Sequence, residues 1–376
     1  MIKIAHIADV HLRDRQYSCR TRGRDFANAL EEAVKTAIKN NADAIICAGD
    51  LLDTARPSAA TISGELTRID RILIDAGIPM FVISGNHDLA EFPWMRVFDP
   101  HEDKTAGIVC ADNKKKSVHK NDEFVSILCL PFMPTDDMKQ TLDSVRESKN
   151  TYDIITWHGA ISEFVGYPNP NNLDMDYFAG TCRLVAMGDQ HIHRILEKEY
   201  DGSTLTVSYP GSTELCDESE DPIKKMYMYS WENHELVNIE SIPFETRPVQ
   251  RFVLKTELDV EDAITKLLPN SLVFVKYNRK LANVIPRLNT VLTSDNILRP
   301  AALPDSDKHA MRDIQKTRQL LASPREFVDK AIERLVPADQ LERIRELCLD
   351  MVDNNADYRY AIDKFCADRM EGKIIL

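Results

Sequence analysis

Five short polar clusters each follow an apolar run, and together they hold the side chains that could do chemistry in this chain. They are Asp9-Val10-His11, Gly49-Asp50 with Asp53 close behind, Gly85-Asn86-His87-Asp88, Trp157-His158-Gly159, and the stretch MGDQHIH from Met187 to His193. Carboxylate, imidazole and amide oxygen are donor types that divalent Mn, Fe, Zn or Mg accepts, and no cysteine stands among them. Any one cluster alone reads better as turn chemistry, since Gly-Asp after a strand usually makes a turn and a helix cap, and Asn-His-Asp suits a tight loop. The same coincidence at five places points instead to one site that collects ligands from several strand ends and holds a pair of cations.

The apolar, β-rich runs that must position these clusters are Ile2 to Ala8, Ala44 to Ala48, Met80 to Ser84, Phe124 to Leu130, Tyr152 to Trp157 and Leu184 to Gly188. Between the first three lie segments with helical periodicity, Phe26 to Lys39 and Ile62 to Ala76. This β-α-β-α-β order implies a sheet with covering helices. At the carboxyl ends of such strands, residues far apart in sequence converge on a common crevice. Later strands are more tightly spaced, and Leu205 to Tyr209 with Met226 to Trp231 read as hairpin partners, which predicts a mixed sheet or two sheets packed together. The stretch PFETRP, Pro243 to Pro248, reads as a linker. A β-α-β-α unit follows it, from Phe252 to about Pro304. From about Lys308 the chain reads as helical, with a complete start signal in Ser323-Pro324-Arg325-Glu326 and apolar stripes through Phe327, Ala331 and Leu335 and through Leu341, Ile344 and Cys348.

At 376 residues the chain exceeds a typical single core, and 43% hydrophobic with 28% charged residues is ordinary for a globular protein. A net charge of -13 argues against a surface that grips nucleic acid everywhere by counterion release. Contact with DNA is then local or metal-assisted. A local candidate is RDRQYSCRTRGR, where Arg13, Arg15, Arg20, Arg22 and Arg24 directly follow the first polar cluster and could position a phosphate backbone. The competing reading is a solvated loop whose arginines pair with nearby acids. Lys114 to Lys116 reads as a solvated turn. The opening MIKIAHIADVHL is too short and too polar for a signal peptide or membrane anchor, so a cytoplasmic protein without membrane partners is expected. The 8 cysteines lie far apart without a Cys-x-x-Cys pair, and they read as reduced core residues rather than a metal-thiolate site.

Taken together, Asp9-x-His11, Gly49-Asp50-x-x-Asp53, Gly85-Asn86-His87-Asp88, His158 and the later Gly-x-x-His resemble the calcineurin-like metallophosphoesterase superfamily. Within it, Ala-Asp-Val-His-Leu, Tyr209-Pro210-Gly211-Ser212 and Thr246-Arg247-Pro248 resemble the SbcD nucleases, bacterial and phage counterparts of the eukaryotic double-strand-break repair nuclease. The resemblance implies a two-sheet α/β sandwich over residues 1–245, a small α/β cap domain over 246–305, and a helical C-terminal region over 306–376 that docks an SbcC-like ATPase. The chain has no Gly-x-x-x-x-Gly-Lys-[Ser/Thr] loop of its own. The implied activity is a Mn-dependent deoxyribonuclease, exonuclease and/or endonuclease, with Mg as the other candidate metal. Asp9 and His11 would hold one cation, Asn86 and His158 the other, and Asp50 would bridge them. His87 would protonate the leaving oxygen, with Asp53 and Asp88 supporting the ligands from behind. Homodimer formation stays open.

One stretch departs from the family pattern, in which both histidines of Gly-His-x-His bind metal. If Gly188 is the family glycine, Asp189 replaces the first histidine and His191 is the second. If Gln190 stands at the glycine position, His191 and His193 are the pair. The first register is favoured because ligands should follow directly on the strand ending at Gly188. Asp9, Asp50 and Asp189 would then set three carboxylates against four metal charges, which favours Mn or Mg over Zn. Two rival readings remain: a phosphomonoesterase or cyclic-nucleotide phosphodiesterase on the same scaffold, and a DNA- or ATPase-binding scaffold with a degenerate site.

Overall fold

Side chains alternate in direction along each strand, and inner strands that are apolar on both faces build two sheets stacked between helices. The computed structural model describes residues 1–101, 104–165, 172–281, 283–293 and 295–303. Twelve strands make the sandwich: β1 (Ile2–Ile7), β2 (Ala44–Cys47), β3 (Pro79–Val82), β4 (Gly107–Cys110), β5 (Lys114–Lys120), β6 (Glu123–Leu130), β7 (Tyr152–His158), β8 (Cys182–Gly188), β9 (Arg194–Tyr200), β10 (Ser203–Tyr209), β11 (Lys225–Glu232) and β12 (Glu235–Pro243). One six-stranded sheet runs β12-β11-β1-β2-β3-β4 and the other β5-β6-β7-β8-β10-β9.

Three buried layers follow from the alternation. Ile4, Ile46 and Phe81 of the first sheet meet Ile127, Ile154 and Leu184 of the second in the middle. The opposite face of the first sheet, with Ala5, Ile45 and Val82, packs on helices α1 (Arg20–Lys39) and α2 (Thr67–Ala76). In α1 the buried Phe26, Leu30, Ala33, Val34 and Ala37 form one stripe at helical spacing. Ile155, Trp157 and Val185 cover the outer face of the second sheet, against Met138 and Leu142 of α3 (Thr135–Glu147). A single short turn, α4 (Ser162–Val165), follows β7.

After the PFETRP stretch, β13 (Val249–Leu254), α5 (Glu257–Lys266), β14 (Leu272–Tyr277), α6 (Val284–Val291) and β15 (Ile297–Ala302) form a parallel three-stranded sheet. Val273 and Val275 of β14 face α5 and α6. Leu272 and Phe274 face the other way, onto Leu215 and Tyr17 near the sandwich rim. Arg247 anchors this unit with a two-pronged ion pair to Asp25 of α1, at 2.6 and 2.8 Å.

Two sequence readings are corrected. Leu205 to Tyr209 and Met226 to Trp231 are not partners: β10 pairs with β8 and β9, whereas β11 lies between β1 and β12 in the other sheet. Tyr227 and Tyr229 of β11 face the central layer while Met226 and Met228 face the helices, so that strand is buried on both sides as an inner position requires. Lys114 to Lys116 are strand residues of β5, at the edge of its sheet, where lysines discourage pairing with other chains. The helical readings beyond Lys308 lie outside the described residues. Among the described residues no helix is long and apolar enough to cross a membrane.

Candidate metal centre

Each polar cluster sits where its strand ends, and the backbone there is bent to turn side chains inward. Asp9, His11, Asp50 and Asp189 all adopt positive φ, at 52°, 49°, 50° and 92°. Such conformations cost L-residues energy and gather at functional sites. The glycines in the motifs are required by close approach: a Cβ on Gly49 would lie 2.2 Å from His158 Nδ1, and one on Gly85 2.1 Å from Asp50 Oδ1.

Asp50 is the centre of the arrangement. Its Oδ2 lies 3.6 Å from His11 Nε2 and 3.6 Å from His158 Nε2. On one side, His158 Nδ1–H donates to the Ala48 carbonyl at 2.8 Å, which leaves Nε2 as a lone pair. That lone pair faces Asn86 Oδ1 at 2.9 Å and Asp189 Oδ1 at 4.0 Å. On the other side, His191 Nδ1–H donates to Glu220 Oε1 at 2.8 Å, and its Nε2 faces His11 Nε2 at 3.1 Å. Asp9 is fully buried, and its Oδ1 accepts the Asp189 N–H at 3.0 Å. Asp9 Oδ2 has no hydrogen-bond partner among the described residues.

Acceptors pointed at acceptors in a buried space are unfavourable without positive charge between them. Protons supply it when no cation does. Burial pulls the His158 imidazole down, but the hydrogen bond to Asp50 and the charges of Asp9 and Asp50 outweigh it and push it up to about 9. Burial would raise Asp50, yet His158 beside it holds that carboxyl below its ordinary value. Burial raises Asp9 against the pull of His158, His191 and His11. Ligand atoms of Asp9, His11 and Asp50 lie within 4.8 Å of one another, as do those of His11, Asp53 and His87. The donor set therefore fits divalent cations on both sides of Asp50.

The structure brings Asp189 and His191 into this cluster, on opposite sides of Asp50. His193 points away: its Nδ1 contacts the Pro210 carbonyl at 2.9 Å, its Nε2 contacts Ser241 Oγ at 2.8 Å, and its ring stacks on Tyr227. His87 stands at the mouth, 46% exposed, edge-on to the His11 ring, while its backbone N–H donates to Asp50 Oδ1 at 2.9 Å. Asp53 Oδ1 lies 3.4 Å from His11 Nδ1. Asp88 accepts the N–H groups of Gly85 and Leu52, joining the β3 and β2 loops, and burial lifts its carboxyl to about 7.

The arginines divide. Arg15, Arg20 and Arg24 are exposed. Arg13 pairs with Asp53 at 2.6 Å and lies over the Phe26 ring. Arg22, expected on a DNA-facing rim, is instead fully buried. It bonds to Asp25, Glu214, Gln16 and the Leu215 carbonyl, so no phosphate can reach it.

Sequence reasoning missed Glu220 and Cys216. Besides orienting His191, Glu220 takes hydrogen bonds through Oε2 from Ser212 Oγ, Lys224 Nζ and the Cys216 N–H. Burial opposes its charge, but His191 and Lys224 bring the carboxyl down to about 2. The third sheet grips the same loop, since Arg251 donates to the carbonyls of Glu218 and Glu220. The only signal was the neighbouring Tyr209-Pro210-Gly211-Ser212, whose Tyr209 Oη donates to Gly159 O at 2.8 Å behind His158.

A family model for calcineurin-like phosphoesterases matches residues 2–193, slightly more than half of the chain. The chain belongs to the calcineurin-like phosphoesterase family. Family members use divalent metals, in keeping with the donor set around Asp50. Among curated proteins, this calcineurin-like phosphoesterase is similar to the DNA double-strand break repair protein Mre11 of Haloferax volcanii, 29% identical over 257 residues, 66% of this chain and 53% of the relative. It is also similar to the proteins of that name from Saccharolobus solfataricus, 27% identical over 58% of this chain and 56% of the relative, and Methanocaldococcus jannaschii, 25% identical over 70% and 72%. The chain spans about half the length of the first two.

Proposed function

We propose that this phosphoesterase is the nuclease subunit of an SbcC-SbcD-like complex, cutting DNA phosphodiesters at a two-cation site. The observation that carries the reading is Asp50 Oδ2, equidistant at 3.6 Å from His11 and His158. Asp9, His11 and His191 would hold one cation, Asn86, His158 and Asp189 the other, with Asp50 shared. Two divalent cations would activate water and neutralise charge in an in-line phosphoryl transition state.

The protein's own contribution is preorganisation. Ala48 O and Glu220 hold His158 and His191 in the tautomer that presents Nε2, so neither ring has to turn over on binding. Half-exposed His87 is placed to hydrogen-bond a phosphate oxygen and give a proton to the leaving oxygen. Exposed Arg15, Arg20 and Arg24 are placed to take backbone phosphates, contacts that position DNA without reading sequence. In this reading residues 1–245 are the catalytic domain, 246–305 a cap domain, and 306–376 the docking segment for an SbcC-like ATPase in the cytoplasm. Asp189 beside His158 makes that side rich in oxygen, which favours Mn or Mg over Zn.

The test is cleavage of plasmid and linear duplex DNA in Mn, run beside a chromogenic phosphate ester. The reading predicts DNA cutting that Asp50→Ala or His158→Ala abolishes while DNA binding persists. Ester hydrolysis without DNA cutting would assign the scaffold to a small-molecule phosphoesterase, and cutting that survives Asp50→Ala would remove the site from the chemistry.

A further inference from the structure

We propose that His11, His191 and Cys216 form a thiophilic cation site, overlapping the His11 side of the metal centre, that takes a soft divalent ion such as Zn2+ in preference to Mn2+. The inference rests on the two-cation reading and makes its two sides chemically different. A ring nitrogen of each histidine and the Cys216 Sγ lie within 4.8 Å of one another. A tetrahedral zinc, with Zn–N of about 2.0 to 2.1 Å and Zn–S of about 2.3 Å, sets its ligand atoms roughly 3.3 to 3.6 Å apart. The two imidazole Nε2 atoms, at 3.1 Å, already approach that spacing. The thiol turns about a single bond, and its present contact, to the Glu214 carbonyl at 3.6 Å, is weak.

Two observations show that this is more than a cysteine near a site. One carboxylate holds both partners: Glu220 Oε1 takes the His191 Nδ1–H at 2.8 Å and Oε2 takes the Cys216 backbone N–H at 3.2 Å. Fully buried Asp9, whose Oδ2 has no hydrogen-bond partner among the described residues, shares a 4.8 Å cluster with His11 and Asp50 and would be the fourth donor to a cation held at His11. The other side, with Asn86, His158 and Asp189, offers two oxygens and one nitrogen and no sulfur. On coordination the Cys216 S–H bond breaks, sulfur keeps the electron pair for the metal, and the proton leaves to water. A thiolate ligand strengthens zinc binding far more than manganese binding. The consequence is a nuclease that zinc captures on one side and manganese or magnesium serves on the other.

The experiment titrates Co2+ into the metal-free full chain and into Cys216→Ser and Cys216→Ala. The expected result is a sulfur-to-cobalt charge-transfer band in the near-ultraviolet that both variants lose while the visible cobalt d–d bands persist, which shows that the rest of the centre is intact. Zinc affinity, measured by competition with a chromophoric chelator, should fall by about 100-fold or more in the variants, since even groups behind the ligands contribute 10- to 100-fold. Manganese affinity, read by electron paramagnetic resonance, should change far less. Visible d–d bands without charge transfer in the unsubstituted protein, or unchanged zinc affinity in the variants, would overturn the thiolate site and leave the two-cation reading standing. No cobalt bands in any of the three proteins would overturn both.

Discussion

Nε2 of His11 and Nε2 of His191 face each other at 3.1 Å, and Glu220 fixes the His191 proton on the far nitrogen. His11 Nε2–H can donate to the His191 Nε2 lone pair at this distance, and a cation bound between the rings would replace that one hydrogen bond with several metal–ligand bonds. Manganese should therefore stabilise the fold: a ligand at 100 times its dissociation constant adds about 2.7 kcal/mol. Calorimetry should show a higher unfolding temperature in Mn and its loss on chelation. Identical transitions in both conditions would contradict the assignment.

Glu220 acts on the site through His191. Glu220→Gln keeps the size but loses the charge that His191 and Lys224 use. Manganese affinity should fall by roughly 10- to 100-fold, the range for partners that orient a metal-bound imidazole. Isothermal titration would detect this, and an unchanged affinity would mean that the His191 orientation is irrelevant to binding.

Arg22 and its exposed neighbours should separate cleanly. Arg22→Ala leaves Glu214 buried without its partner and Asp25 with Arg247 alone, and the expected loss is about 3 to 5 kcal/mol of stability. Arg15→Ala, Arg20→Ala and Arg24→Ala should leave the unfolding temperature nearly unchanged. Each that contacts a phosphate should reduce the slope of log K against log salt for duplex DNA by about 0.9. Salt-dependent binding measurements that show no change for the three together would remove this segment from the DNA path.

His6 gives the fold a pH dependence away from the metal centre. It is fully buried, with Nδ1 at 2.6 Å from Tyr229 Oη, and burial brings its imidazole down to about 3. Between about pH 6.5 and 3 the unfolded chain holds a proton that the folded chain lacks. Its contribution is thus fully present above pH 6.5 and is lost as pH falls, at up to about 1.4 kcal/mol per pH unit. His6→Asn should flatten this part of the stability curve in denaturant titrations from pH 7 to 4. Parallel curves for the two proteins would refute it.

Much of this was legible in the sequence wherever the signal is local. Runs apolar on both faces, such as AIIC of β2 and YDIITWH of β7, announce inner strands, and the ligands follow directly on their ends. Edge strands were harder to see. KKKSVHK of β5 and RILEKEY of β9 expose polar side chains on at least one face, and ILRPAA of β15 carries a proline that an edge position tolerates. Arg22 looked like a surface charge because its partner Glu214 is distant in sequence and meets it only in the folded chain. Glu220 and Cys216 were hidden for the same reason, reaching His191 from a loop that returns after β10. The choice between Asp189 and His193 depends on chain direction just past β8, which composition does not encode.

Anomalous scattering from crystals soaked in manganese would test most directly whether two cations share Asp50. Two peaks about 3.5 to 4 Å apart are expected, both in contact with Asp50, one beside His11 and His191 and the other beside Asn86, His158 and Asp189. A single peak, no peak, or a second ion held by His193 would contradict that arrangement.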